Sequence, residues 1–317
     1  MDPQHDLCDT GFSRERLGLI FGCRGYLSGR WYRHSIMNWL KFAKDKRENF
    51  SGKKLSTNTE DGLVLDGMYF PFYGSDTVLA HTHGTASFYN NEIFEPHLLE
   101  YCKRKGYGFL SFNNRGAHIF NDQCGAAYEK FSDSPKDIDA WLNRLKQNGI
   151  KNAILSGHSL GTEKIANYVK NHKHDMVKSI LLLAPSDTVG NQNRYENKIG
   201  KCYMNEAKLM IMTNSGNELL NDQKAHAGVL PMSASAYFDF YTQGMPLEKA
   251  LPFRNRDLDF FGIECFALVP NNDHYNITST ADYAHDLKKA GANVLVCKTD
   301  HDFNKFDTIK ALYTLMG

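Results

Sequence analysis

A serine stands between two glycines in GHSLG, residues 157–161, directly after the apolar run Ile150–Leu155 and at the start of a helical pattern at Leu160. G-x-S-x-G suits a nucleophile on a sharp strand-to-helix turn, and it equally suits an ordinary turn in which glycines relieve crowding. The two differ in what arrives beside the serine. A hydroxyl is a poor nucleophile until a base takes its proton, and a histidine can do so near neutral pH and later protonate the leaving group. A carboxylate then fixes the imidazole tautomer and stabilises the imidazolium. Two later segments supply these types: ALVPNNDHYN carries Asp273, and CKTDHDF carries His301. Asp300 and Asp302 flank that histidine and are alternative acids. The oxyanion needs two preorganised N–H donors, and the backbones of Leu160, after the serine, and Thr85, after His83-Gly84, stand where such donors are expected.

Other residues suggest other chemistry. His81 and His83 are two apart, so on a strand they face the same way and can share a metal. No further ligand set at matching spacing follows, so the expectation is that neither a metal nor a cofactor is used. Glycine-rich phosphate loops are also absent from the sequence. His172 and His174, in NHKHD, read as residues complementing a helix C-terminus. His158, inside the serine motif, has no assigned role.

These groups meet only if the chain positions them. LVLDGMYFPF (63–72) alternates apolar and polar residues after a turn, as in an antiparallel opening pair. Continuous apolar runs then occur at 77–80, 107–112, 153–155, 180–184, 265–269 and 294–297. Such runs suit strands buried on both faces of a parallel sheet. Helical stretches fall between them, at 92–105, 135–147, 160–170, 280–290 and 303–315, with Ser134 expected to cap the second and Pro135 to begin it. The pattern predicts an α/β fold with a mostly parallel, doubly wound sheet. In such sheets ligands sit at the carboxyl ends of the strands. Serine, aspartate and histidine reach that edge in the order Ser159, Asp273, His301.

Residues 187–260 interrupt the alternation and are expected to form a helical cap or lid over this edge. Met210, Met212, Met232, Tyr237, Phe238 and Tyr241 could there line a pocket or form the cap's own core. The expected core is 55–186 together with 261–317. Residues 1–54 form a separate basic, aromatic extension, with 11 Lys/Arg against 6 Asp/Glu, a net +5. Its WYRHSIMNWLKFAKDKR stretch could form a basic amphipathic helix touching a membrane or a partner, although docking on its own domain is commoner.

The whole chain of 317 residues has a net charge of +1, which provides no global field for nucleic acid or an anionic membrane. Seven scattered cysteines without a CxxC indicate neither a disulfide framework nor a zinc cluster. With an acidic start and no long apolar run, the expected location is cytoplasmic and the expected partner a small molecule.

Together VLAHTHGT, FNNRGA, GHSLG, ALVPNNDHY and TDHDF, in that order, resemble the α/β-hydrolase superfamily from about residue 55 to the C-terminus. The cap sequences PMSASAYFDFY and LPFRN are similar to the branch containing fungal siderophore esterases. The resemblance implies a serine esterase working through an acyl-enzyme on a small-molecule ester. Thioesterase, amidase, acyltransferase and non-catalytic receptor functions are alternatives on the same fold. Two departures stand out: His83-Gly84 is followed by Thr85-Ala86 rather than a further glycine, and Asn114 replaces an aspartate common at that strand end.

Overall fold

The computed structural model describes residues 52–317 apart from Tyr73, Lys173 and Phe261, so nearly all of the basic extension lies outside the described residues. The chain opens with β1 (Lys53–Asn58) and β2 (Val64–Phe70), an antiparallel pair in which Lys53 faces Tyr69 and Asn58 faces Val64. Then follow β3 (Thr77–Thr82), β4 (Gly108–Phe112), β5 (Asn152–His158), β6 (Val177–Leu183), β7 (Glu264–Asn272) and β8 (Asn293–Asp300). The eight strands lie in the order β1-β2-β4-β3-β5-β6-β7-β8. β2 is antiparallel to both neighbours, and every pair from β4 and β3 onward is parallel.

The continuous apolar runs are explained by what each residue meets. In β6, Ile180 and Leu182 enter one core layer, with Trp141, Ile138 and Tyr283. Their neighbours Leu181 and Leu183 enter the opposite layer, with Leu98, Phe109 and Leu312. Each fully buried Leu or Ile contributes about 1.5–3 kcal/mol relative to exposure, so an interior polar residue on either face would be costly. The first layer is covered by α2 (Ser134–Gln147), α3 (Leu160–Asn171) and α8 (Thr280–Lys289), and the second by α1 (Glu95–Lys105) and α9 (Thr308–Met316).

Element boundaries depart from expectation where local backbone decides. α9 starts at Thr308 rather than 303 because Phe303 and Lys305 hold φ of 56° and 55°, outside the helical region. Asp307 then caps it by accepting from the Lys310 N–H. Ser134 is the first helical residue of α2, and the cap position belongs to Asp133.

The described residues of 187–260 form α4 (Thr188–Ile199), α5 (Met204–Met212), α6 (Ala234–Tyr241) and α7 (Pro246–Ala250), plus two isolated bridges. They enclose a third cluster that includes Tyr203, Leu220, Met232, Tyr237 and Phe240 and extends to Phe131 and Leu160 of the main body. Within the segment Arg254 pairs with buried Asp187, joining its two ends, and Ser132 Oγ of the main body donates to Asp239 at 2.5 Å. Among the described residues no helix is long and apolar enough to cross a membrane. Of the cysteines, Cys102, Cys124, Cys202, Cys265 and Cys297 are described, and all five are free.

Candidate active site

Ser159 is the hinge between β5 and α3 and adopts φ 52°, ψ −124°. A non-glycine residue in such a conformation costs about 1–3 kcal/mol and persists only where its surroundings impose it. Here the two glycines do so. A Cβ on Gly157 would lie 2.4 Å from the Gly161 carbonyl oxygen, and one on Gly161 2.7 Å from that of Thr82. The turn can therefore be this tight only without those side chains.

His301 follows β8, and its buried ring is oriented by Asp273, which follows β7: Nδ1 lies 2.7 Å from Asp273 Oδ2. A carboxylate can only accept, so Nδ1 donates to it, which leaves Nε2 turned toward other partners. The other oxygen, Oδ1, accepts from the Tyr275 N–H at 2.9 Å. Of the alternative acids, Asp300 is occupied with Asn304, at 2.9 and 2.8 Å, and Asp302 is exposed. Two residues of 187–260 brace the loop after β7, because Asn191 Nδ2 donates to the Tyr275 carbonyl and Arg194 to those of His274 and Asn276. Among the described residues no hydrogen bond joins the Ser159 hydroxyl to His301 Nε2, a contact that often forms only with substrate bound.

At the third expected position, Gly84 abuts the serine: a Cβ there would lie 3.1 Å from that of Ser159. The Gly84 N–H is already given to Glu92 Oε1 at 3.0 Å. Thr85 is the next residue in the turn closed by Ser87 N–H to Gly84 O, with Ala86 at φ 55°. Leu160 is the first residue of α3, so its N–H has no intrahelical acceptor. Gly84, the residue before Thr85, thus abuts Ser159, and Leu160 directly follows it in the chain. His83 supports the turn rather than reacting. Its Nε2 accepts from the Asn114 N–H at 3.3 Å, so its Nδ1 donates to the Gly84 carbonyl at 2.8 Å. Burial, followed by the nearby Lys164 cation, pushes its pKa down to about 3, which keeps the ring neutral.

Two buried networks behind the serine escape the sequence analysis. In the first, Glu92 accepts from His81 Nε2 at 2.7 Å and from His158 Nδ1 at 2.9 Å, besides Gly84. Burial alone would push His158 down, but the Glu92 charge and hydrogen bond more than reverse this and raise it to about 9. Burial likewise opposes the Glu92 charge, and the two histidines hold its pKa well below the usual carboxylate range. Burial and the neighbouring Glu92 charge push Glu95 well above that range. His81, Glu92 and Glu95 bring three ligand-type atoms within 4.8 Å of one another, the group best placed to hold a metal among the described residues. Two of the three already satisfy each other.

In the second network Lys164, five residues after the nucleophile and fully buried, donates to Glu129 Oε2 at 2.6 Å and Asn114 Oδ1 at 2.8 Å. Asn114 also binds Thr82 Oγ1, so the asparagine in FNNRGA is architectural. Of the cap residues expected to line a pocket or build the cap's core, Met232 and Tyr237 are in that core, while Met212 is 81% exposed and does neither. A cleft of about 190 Å³ between 63–66 and 113–124 is lined by none of Ser159, Asp273 and His301.

A family described as serine hydrolase matches residues 126–218, the stretch that includes Ser159. The search of curated proteins gives no match. Among solved structures, the α/β hydrolase GrgF from Penicillium sp. sh18 is 14% identical, covering 84% of this chain and 96% of its own, with a TM-score of 0.63. Est1E from Butyrivibrio proteoclasticus is 12% identical over 84% and 98%, with a TM-score of 0.59. The Pyrococcus furiosus esterase Pf2001 is 16% identical over 84% and 94%, at 0.52. The chain has the α/β-hydrolase fold, and the family match supports a hydrolase.

Proposed function

We propose that the protein cleaves a carboxylic ester of a small molecule through an acyl-enzyme on Ser159, with His301 as base and Asp273 as its orienting acid. One observation carries this: a serine held at φ 52° on the β5–α3 turn shares an edge with a histidine whose Nδ1 is committed to Asp273, leaving Nε2 free to take a proton.

In the first step Ser159 Oγ attacks the ester carbonyl carbon while its proton passes to His301 Nε2. The resulting oxyanion accepts from the N–H groups of Leu160 and Thr85, each such donor being worth about 10²–10³ in rate. Collapse breaks the acyl–oxygen bond, and the alcohol leaves with the proton held by His301. A water molecule then gives a proton to His301 and attacks the acyl group, releasing the acid and restoring Ser159. Asp273 stays ionised and stabilises the imidazolium formed in each half-reaction.

The esterases among the structural neighbours support an ester as substrate, and one structure of Est1E holds ferulic acid. The test is a fluorophosphonate probe on wild type and Ser159→Ala, followed by a panel of esters that spans chain length and includes aryl and hydroxamate-siderophore esters. Labelling of wild type alone, with turnover of at least one ester class, is the expected result. Equal labelling of both proteins would refute the assignment.

A further inference from the structure

His158 sits next to the nucleophile, and the bonds of its side chain run away from the serine in two directions. Nδ1 lies 2.9 Å from Glu92 Oε1, and Nε2 lies 3.0 Å from the backbone carbonyl oxygen of His301. A carboxylate and a carbonyl both only accept, so both ring nitrogens must donate, and the ring is an imidazolium by hydrogen-bond geometry alone. Glu92 Oε1 accepts at the same time from the Gly84 N–H. One buried bridge thus runs from the turn that carries Thr85, through Glu92 and His158, to the backbone of the base.

We propose that His158 and Glu92 are positioning residues whose charged bridge holds the His301 loop and the Gly84–Thr85 turn in register about Ser159. This rests on the triad proposed above and adds the device that keeps its parts aligned. Ordinary packing does not require it, because a neutral histidine could satisfy only one of these two acceptors. The loop it holds is also tied locally, by Asp300 to Asn304 and by Phe303 in the second core layer, but none of those contacts reaches the Gly84–Thr85 turn as the bridge does. A loop free to shift by about 1 Å would misplace the base, a displacement that can cost about 10²-fold in rate.

The charged and titratable groups around the ring are Glu92, with His81 and Glu95 beside it, and from the base loop His301 and Asp302. Raising the pH until His158 loses a proton frees one of its two anchors. Wild-type kcat should therefore have an alkaline limb near pH 9.

The experiment measures kcat and KM from pH 6 to 10 on an ester that wild type turns over, for wild type, His158→Gln, Glu92→Gln and the double variant, with thermal melts showing each is folded. The expected result is a fall in kcat of about 10- to 100-fold in each single variant, with KM nearly unchanged. The double variant should be no worse than the singles, since one bridge is broken once, and the alkaline limb should vanish in His158→Gln. Wild-type kcat in folded His158→Gln, or multiplying losses in the double variant, overturns the bridge. Should either variant fail to fold, the wild-type profile still decides: flat kcat from pH 8 to 10 overturns it. Absence of Ser159 labelling in wild type would instead overturn the triad itself.

Discussion

The charge on His158 makes a stability prediction that needs no substrate. Its pKa is raised from 6.5 to about 9 in the folded protein, because Glu92 outweighs the cost of burial. Between those values the folded state holds a proton that the unfolded chain has lost, so stability falls as pH rises. The contribution is fully present below pH 6.5 and is lost as pH passes through 9. At about 1.4 kcal/mol per unit it amounts to about 3 kcal/mol. Glu163 acts in the same direction over a lower window. Burial raises its pKa from 4.5 to about 8, so the folded state holds an extra proton there as well. Wild type alone therefore cannot separate the two, but the gap between wild type and His158→Gln can, since Glu163 is common to both. Urea unfolding at pH 6, 7.5 and 9.5 should show wild type losing about 3 kcal/mol more than the variant between the first and last. A gap constant to about 0.5 kcal/mol would refute the charged assignment.

Further predictions concern other parts of the site. Glu129→Gln keeps the side chain's shape but leaves Lys164 buried without its carboxylate, which should cost about 3–5 kcal/mol by chemical denaturation. Gly157→Ala drives a Cβ to 2.4 Å from a backbone oxygen, so it should abolish probe labelling of Ser159 or prevent folding, as judged by labelling and circular dichroism. Asp273→Asn should lower kcat by about 10⁴ with the fold intact, because the amide can hold the wrong imidazole tautomer. Met212→Glu, at an exposed position, should change stability by less than about 0.5 kcal/mol and leave ester turnover as in wild type.

The middle of the sheet was legible because strands such as β4 and β6 are buried on both faces and so carry uninterrupted apolar runs, whereas β1 and β8 are mostly not buried and the run 294–297 has Val296 at the surface. The site residues were legible for a related reason: each stands just past such a run, where a parallel sheet must present its ligand edge. Less visible was anything fixed by a single backbone angle, such as the late start of α9 after Phe303 and Lys305. Least visible were the buried charges. Glu92 lies 66 positions from His158, and His158 lies 143 from the His301 carbonyl it binds, separations at which no local pattern operates. Lys164, buried in α3, meets Glu129 from 35 positions away, and the Glu129 carboxylate fits only because Gly116 has no Cβ there.

If an acyl group passes through Ser159 during turnover, it can be trapped there. An aryl ester that the protein hydrolyses would be mixed with it, quenched in acid within the first turnover, and the peptide spanning 152–171 weighed by mass spectrometry. One acyl adduct on Ser159 is expected, absent in Ser159→Ala, whose turnover should fall by about 10⁶. Wild-type hydrolysis by Ser159→Ala, or an adduct on another residue, would contradict an acyl-enzyme on Ser159.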